Sequence, residues 1–259
     1  PENTVNDLIG QMEVEIEKDR NSAVGWRYLM QPWLRTPLMI AVCIMFFQQF
    51  VGINTVIYYS PKIFLMAGFE STLSAIWASV GIGIVNVVFT VISLYLVDRI
   101  GRRKLYFIGL SGIAFSVLCL SACFIYANQL GEIGRWLMVI FMFGYVAFFA
   151  ISIGPLGWLV ISEIFPQKVR GLGTSIGSLA VWIFNCIVSF TFFKIIDFFS
   201  IPGTEIVVGQ TTSENPAGAF FLYGFIAVLG LVWGYLFLPE TKGLSLEEIE
   251  QKWRKNREC

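Results

Sequence analysis

Six stretches of this chain are each apolar and long enough to cross the hydrocarbon core of a bilayer, roughly residues 37–66, 73–97, 104–127, 135–161, 171–199 and 217–238. A spanning helix needs about 20 predominantly apolar residues. Open strands cannot satisfy their backbone groups in lipid, so the spans are expected to be helices. The fold class is therefore all-α membrane, with six transmembrane helices. Only 14% of the residues are charged, where a soluble domain carries about 25%. Basic and acidic residues balance at 18 each, which gives no hint of nucleic acid as a partner.

The basic residues orient the bundle. All but Lys62, Arg135 and Lys194 fall in segments on one side, which the positive-inside bias assigns to the cytoplasm. The reading is a multi-pass protein of the cell membrane with both ends of this chain cytoplasmic. Residues 1–36 form a charged, helix-periodic segment, unlike the apolar core of a cleavable signal peptide, with Val5, Leu8, Ile9, Met12 and Ile16 on one face of an expected amphipathic helix over 2–20. Residues 37–238 form the bundle and 239–259 a cytoplasmic helical tail, in which Ser245 and Glu248 have the spacing of a capping box.

The six spans fall into two triplets of matching character. The first and fourth are interrupted, at Gly52 and at Gly154-Pro155-Leu156-Gly157. The second and fifth carry polar stripes at helical spacing: Ser79, Gly83, Asn86, Thr90 and Ser93 in one, Gly171, Thr174, Ser178, Trp182, Asn185 and Ser189 in the other. The third and sixth read as lipid-facing scaffold. Three helices per unit make the second triplet enter from the opposite side, a 3+3 inverted repeat. Interrupted segments at corresponding positions of such repeats point to a transport site, although glycine and proline are also common in membrane helices generally.

Around the first interruption stand Gln48, Gln49 and Asn54, followed by Tyr58 and Tyr59. Polar side chains at membrane depth are costly and face a partner or a water-filled cavity. Neutral amides suit an uncharged, polyhydroxylated solute, each donating to one hydroxyl and accepting from another. They also glue helices to one another. On a straight helix Asn54 would point about 140° from Gln49 and about 240° from Gln48, so convergence needs a break near Gly52. Tyr58 and Tyr59 are placed to close over a solute, or else belong to an interfacial aromatic belt. Trp158 follows the second interruption, and its indole offers a flat face for a sugar ring and an N–H for a hydroxyl. Trp182 and Asn185 share a face of the fifth span, and Asn86 adds an amide from the second; ordinary packing is the alternative role for Trp182.

No carboxylate lies deep in any span, and the chain has no histidine, so histidine relays and histidine metal sites are excluded. Cys119 and Cys123 read as small packing residues. No metal or cofactor is expected, and no nucleophile–base pair suggests an enzyme. At the cytoplasmic ends, Asp98, Arg99, Arg102, Arg103, Glu163, Arg170 and Glu240 look like parts of a charge latch whose pairs part when a gate opens. Loop arginines also fix orientation, but acids contribute little to topology.

These motifs, Gln-Gln-x-x-Gly-Ile-Asn with Tyr-Tyr-Ser, Asp-Arg-x-Gly-Arg-Arg, Gly-Pro-x-x-Trp, Glu163 with Arg170 seven residues on, and Pro-Glu-Thr-Lys-Gly, closely resemble the sugar porter family of the major facilitator superfamily, and specifically its carboxy-terminal six-helix half. The resemblance implies monosaccharide (hexose or pentose) transport by alternating access, with or without protons. It implies sugar contacts from Gln48, Gln49, Asn54, Asn86, Trp158, Trp182 and Asn185. Gating falls to Tyr58 and Tyr59 with Phe149 near the site, beside the Gly154-Pro155 break. Ala150 and Val181 depart from the polar residues that some members carry there. The Gly-Pro-Leu-Gly-Trp wording leans toward bacterial and plant proton symporters. A sugar sensor on the same scaffold and a carrier of a polyol such as inositol remain open. The family has twelve spans and this chain has six, beginning at Pro1, so a missing amino-terminal half is the expected partner and transport by this half alone is not expected.

Overall fold

Both interruptions are real breaks, and each is closed by a side chain from the other triplet. The computed structural model describes residues 29–69, 71–200, 205–208, 211–243, 248 and 253. The helices expected over 2–20 and from Ser245 lie outside the described residues, apart from Glu248 and Trp253. Six membrane-length segments are present among them: Pro32–Met66, Thr72–Ile100, Arg102–Ile125, Ala127–Glu163, Gln167–Phe198 and Ala217–Phe237. The first divides into α1 (Arg35–Phe50) and α2 (Ile53–Met66). The second and third are α3 (Thr72–Ile100) and α4 (Arg102–Ile125). The fourth divides into α5 (Ala127–Ile151) and α6 (Ile153–Glu163), and the last two are α7 (Arg170–Phe198) and α8 (Ala217–Phe237). A short antiparallel hairpin, β1 (Ile206–Val208) with β2 (Thr211–Ser213), lies between α7 and α8.

At the first break Gly52 adopts φ +88°, a left-handed conformation that other L-residues reach only with strain. The Tyr145 hydroxyl donates to Val51 O at 2.8 Å and the Thr55 hydroxyl to Gly52 O at 2.7 Å. The ring of Tyr223 lies where a Gly52 side chain would be. α2 ends in a Schellman motif: Gly68 N–H donates to Leu65 O at 3.0 Å and Phe69 N–H to Phe64 O at 3.2 Å, with the Phe64 and Phe69 rings 5.3 Å apart. Within α2, Pro61 cannot donate to Ile57 O, and the Ser60 hydroxyl turns to that carbonyl at 3.4 Å.

The second break falls at Ser152, with φ −127° and ψ −103°, two residues before the Gly-Pro pair. Pro155 is the third residue of α6, where the missing N–H interrupts no intrahelical bond. The Gln48 amide, on α1, donates to Ile153 O at 3.1 Å and Gly154 O at 2.7 Å. Thus α5 serves the break in the first span, and α1 serves the break in the fourth.

Packing follows the same exchange. α3 lies against α5 and α2, and α7 against α1 and α2, while α4 sits between α5 and α8. The third span is therefore not the lipid-facing scaffold expected from its sequence. Leu105, Tyr106, Leu110, Ile113, Val117, Leu120 and Phe124 are all fully buried. Glycines Gly109 on α4 and Gly230 and Gly234 on α8 admit side chains of neighbouring helices at distances no Cβ would allow, and small residues draw membrane helices together in this way. The most exposed spans are instead α3 and α7, with 11% and 22% of their apolar windows buried. Their stripes are only partly directed at neighbours. Ser79, Thr90, Thr174 and Ser178 hydroxyls each donate to the carbonyl four residues back on their own helix.

Replacing Gly52 by Ala combines left-handed strain with a collision against Tyr223. The expected cost is at least about 2 kcal/mol of stability, read as a lower unfolding temperature in detergent. A variant as stable as the parent would show that the left-handed turn is dispensable.

Candidate functional site

The two breaks meet at a cleft of about 400 Å³ lined by α1, α2, α3, α5, α6 and α7. Gln48, Gln49, Asn54, Asn86, Trp158, Trp182 and Asn185, the seven residues singled out as solute contacts from the sequence, all line it. So do Tyr58, Phe149, Gly154 and Pro155. Tyr59 does not: its ring stacks on Phe192 at 5.5 Å and its hydroxyl donates to Ser189 O at 3.4 Å, both on α7. No charged side chain reaches the lining, which Ile53, Thr90, Ala150 and Val181 complete.

The break at Gly52 achieves what a straight helix forbids. Asn54 Nδ2 donates to Gln49 Oε1 at 2.6 Å, and Gln49 Nε2 donates to Gln48 Oε1 at 3.3 Å. Gln48 and Gln49 are buried, and Asn54 is half-buried at the cleft. Across from them, Asn185 Nδ2 donates to the Tyr58 hydroxyl at 3.3 Å, while Asn185 Oδ1 accepts from the Ser189 hydroxyl at 3.0 Å. That pair links α2 to α7 at the rim. The amide of Asn86 and the indole N–H groups of Trp158 and Trp182 have no hydrogen-bond partner among the described residues, and Trp158 and Trp182 are 45% and 67% exposed. Phe149 lies over Gly154, where a Cβ would come within 2.9 Å of its ring. The arrangement offers unpaired neutral donors and acceptors beside two flat aromatic faces, and no group for acid–base or nucleophilic chemistry.

Sequence reasoning missed Tyr145 and Tyr223, which shape the site without lining it. A signal existed for Tyr145: a tyrosine deep in an apolar span must place its hydroxyl somewhere, and this one donates to Val51 O. Ile53 gave no signal, being one apolar residue among many.

At one end of the bundle the acidic and basic motifs converge. Arg102 pairs with Glu163 at 2.8 Å and with Asp98 at 3.6 Å. The second oxygen of Glu163 accepts from the Thr241 hydroxyl at 2.6 Å. Glu240 caps α4, accepting from the Arg102 and Arg103 N–H groups at 3.0 and 3.1 Å, where the helix dipole favours an anion. Gly101, at φ +93°, leaves the space for it: a Cβ there would approach the carboxylate to 2.9 Å. Arg103 donates to Tyr235 O at 2.7 Å, and the Arg99 carbonyl accepts from Lys242 Nζ at 2.7 Å. Arg170 makes no ion pair among the described residues, and two of its guanidinium nitrogens are shielded from solvent without a partner.

A family model described as "Sugar (and other) transporter" matches residues 2–253. The chain belongs to that family. It is 35% identical over 255 residues to the probable metabolite transport protein CsbC of Bacillus subtilis, covering 98% of this chain and 51% of that protein. It is 35% identical over 241 residues to the D-xylose-proton symporter of Escherichia coli, covering 93% of this chain and 46% of that protein. Among solved structures, the proton:xylose symporter XylE of the major facilitator superfamily, bound to 6-bromo-6-deoxy-D-glucose, superposes with a TM-score of 0.74 at 34% identity. That match covers 96% of this chain and 49% of XylE. The chain thus spans about half the length of the relatives it matches. The family and the fold are those of transporters rather than enzymes.

The Arg102–Glu163 pair is mostly buried, with side chains 13% and 21% exposed. A double-mutant cycle of Arg102→Ala with Glu163→Ala, read by thermal unfolding, is expected to give a coupling of about 1–3 kcal/mol. A coupling near zero would mean that the contact contributes nothing to holding this end together.

Proposed function

We propose that this chain is the carboxy-terminal half of a monosaccharide carrier and supplies most of the contacts to the sugar. The observation that carries the reading is the lining of the cleft. Amides from α1, α2, α3 and α7 and two indoles surround a volume in the range of small-ligand sites, without a charged side chain. An ion would find no counter-charge there. A neutral ring bearing hydroxyls finds donors, acceptors and apolar faces together. Sugar and polyol carriers among the relatives, and a xylose symporter of the same fold, support the assignment.

In this reading Asn54, Gln49, Asn86 and Asn185 bind hydroxyls, and Trp158 and Trp182 pack against the ring. An amino-terminal six-helix half faces the exposed side of the cleft, and the two halves rock about the bound sugar. Tyr58, tied to Asn185, closes the rim from α2. The end bearing Arg102, Glu163 and Glu240 faces the cytoplasm of the cell membrane, in line with the positive-inside bias. Proton coupling, where present, uses an acid outside this cleft, because no aspartate or glutamate is among the lining residues.

The test is sugar uptake and equilibrium binding by the complete transporter in liposomes, with a panel of pentoses, hexoses and polyols. Asn54→Ala and Asn185→Ala are each expected to weaken binding of the preferred sugar about ten- to hundredfold, the effect of losing a buried hydrogen bond and leaving its partner unmet. Folded yield should stay at the parent level. Unchanged affinity in both variants would end the site assignment, preference for a polyol would redirect it, and binding without counterflow would make the protein a sensor.

A further inference from the structure

The last span, α8, contributes no residue to the cleft lining, yet one of its rings bears on the turn that aims the cleft's amides. Tyr223 is buried, at 1% exposure. A Cβ on Gly52 would overlap two carbons of its ring and stand 2.7 Å from a third, so the ring leaves room for hydrogen alone. The Tyr223 hydroxyl has no hydrogen-bond partner among the described residues; the contact with the turn is made by the ring. α4 holds that ring in place. Phe220, one turn earlier on α8, stacks on Phe124 with centroids 5.6 Å apart, and a Cβ on Gly224 would stand 2.6 Å from a Leu118 methyl. Glycine enters left- and right-handed wells about equally, so Gly52 does not by itself select φ +88°. In that conformation its carbonyl accepts from the Thr55 and Val56 N–H groups at 3.1 and 3.4 Å and from the Thr55 hydroxyl at 2.7 Å. All three bonds depend on where the turn points the carbonyl.

We infer that Tyr223 is a positioning residue for the solute site. Its ring, carried by a span that never reaches the cleft, holds Gly52 in the left-handed turn and so fixes where Asn54 and Tyr58 point. The peptides beside Gly52 swing to another well only by displacing a ring that Phe220 and Gly224 seat against α4. Asn54 lies two residues past the turn, and its 2.6 Å bond to Gln49 needs the chain re-aimed there. Tyr58 follows one turn further along α2, where Asn185 donates to it at 3.3 Å. A looser turn spreads both groups over several directions, and the apparent affinity falls with the fraction of molecules that keep the competent one. The consequence for solute rests on the sugar-site reading above; the hold on the turn does not.

The experiment compares the complete transporter with Tyr223→Phe, Tyr223→Leu, Tyr223→Ala and Phe220→Leu, by hydrogen–deuterium exchange without sugar and by equilibrium binding of D-xylose and D-glucose. Leucine and alanine at 223 both remove the ring, so either serves if the other fails to fold. Phe220→Leu is the control, because it removes a buried ring from the same helix whose stacking partner is on α4 rather than at the turn. Without the Tyr223 ring, sugar binding is expected to weaken about tenfold, which corresponds to a competent turn in about one molecule in ten. Exchange over residues 52–56 should then rise at least about tenfold, since Thr55 and Val56 lose the Gly52 carbonyl. Tyr223→Phe keeps the ring and should match the parent in both measurements. Phe220→Leu should unfold at a lower temperature but keep the parent's affinity and its exchange over 52–56. Parent-like exchange over 52–56 in Tyr223→Leu overturns the hold on the turn, and faster exchange with parent affinity overturns the positioning role. An equal loss of affinity in Phe220→Leu overturns it in favour of general packing, and an equal loss in Tyr223→Phe overturns it in favour of the hydroxyl. A parent protein indifferent to both sugars refutes the reading for those sugars, and the sugar-free exchange still decides the hold.

Discussion

A backbone carbonyl without a hydrogen bond in hydrocarbon costs several kcal/mol, and the architecture follows from how this chain meets that cost at two broken helices. The first break frees a carbonyl that an unbroken helix would satisfy, and at the second a side-chain amide adds bonds to two carbonyls at the head of the next helix. The Val51 carbonyl is served by Tyr145 from α5, and those of Ile153 and Gly154 by Gln48 from α1. Neither span can hold its break alone. The two interrupted spans must therefore lie side by side, and the inverted repeat supplies that adjacency. The uninterrupted helices arrange themselves accordingly, with α3 docked on α5 and α7 on α1.

A cleft forms where the breaks meet because a broken helix changes the direction of its side chains. Asn54 comes round to Gln49 only after the left-handed turn at Gly52. The same turn sends α2 toward α7, where Tyr58 meets Asn185 and Tyr59 stacks on Phe192. The amides thus divide between two roles that the sequence alone presents as rivals, facing an open cleft and gluing helices. Gln48 is almost wholly engaged in the second. Asn86 is free for the first, and Gln49 and Asn54 stand between, bonded to one another at the cleft surface.

Much of this was legible in the residues. Six apolar runs gave the spans, and Gly52 announced its break because only a glycine accepts φ +88° beneath an aromatic ring. The second break was placed slightly late, since proline marks where a helix can begin rather than where the preceding one ends. The third span was misjudged because burial within a membrane leaves no hydropathy contrast: a helix facing lipid and one facing other helices are equally apolar. Only its glycines, set opposite side chains of neighbouring helices, distinguish α4 as central. The stripes read as continuous polar faces, but a hydroxyl can bond its own helix, and most of theirs do. Asparagine and tryptophan have no such local outlet of equal quality, which is why Asn86, Trp182 and Asn185 reach the cleft.

The short helix α6 joins the two regions of the protein that carry its polar groups. At its head, Gln48 holds Ile153 and Gly154 beside the cleft; at its tail, Glu163 is held by Arg102 and Thr241. Its 11 residues make a rod about 16 Å long. Between those ends it packs through Leu156, Val160 and Ile161, all buried, and it has no glycine after Gly157 at which to bend. A rod fixed at both ends by hydrogen bonds, and free of hinges between, moves as a unit or not at all. Displacement of its head at the cleft strains the Glu163 contacts, and release of Glu163 at the other end frees the head. The cleft and the charged end thus stand about 16 Å apart, joined by one short helix held at both ends.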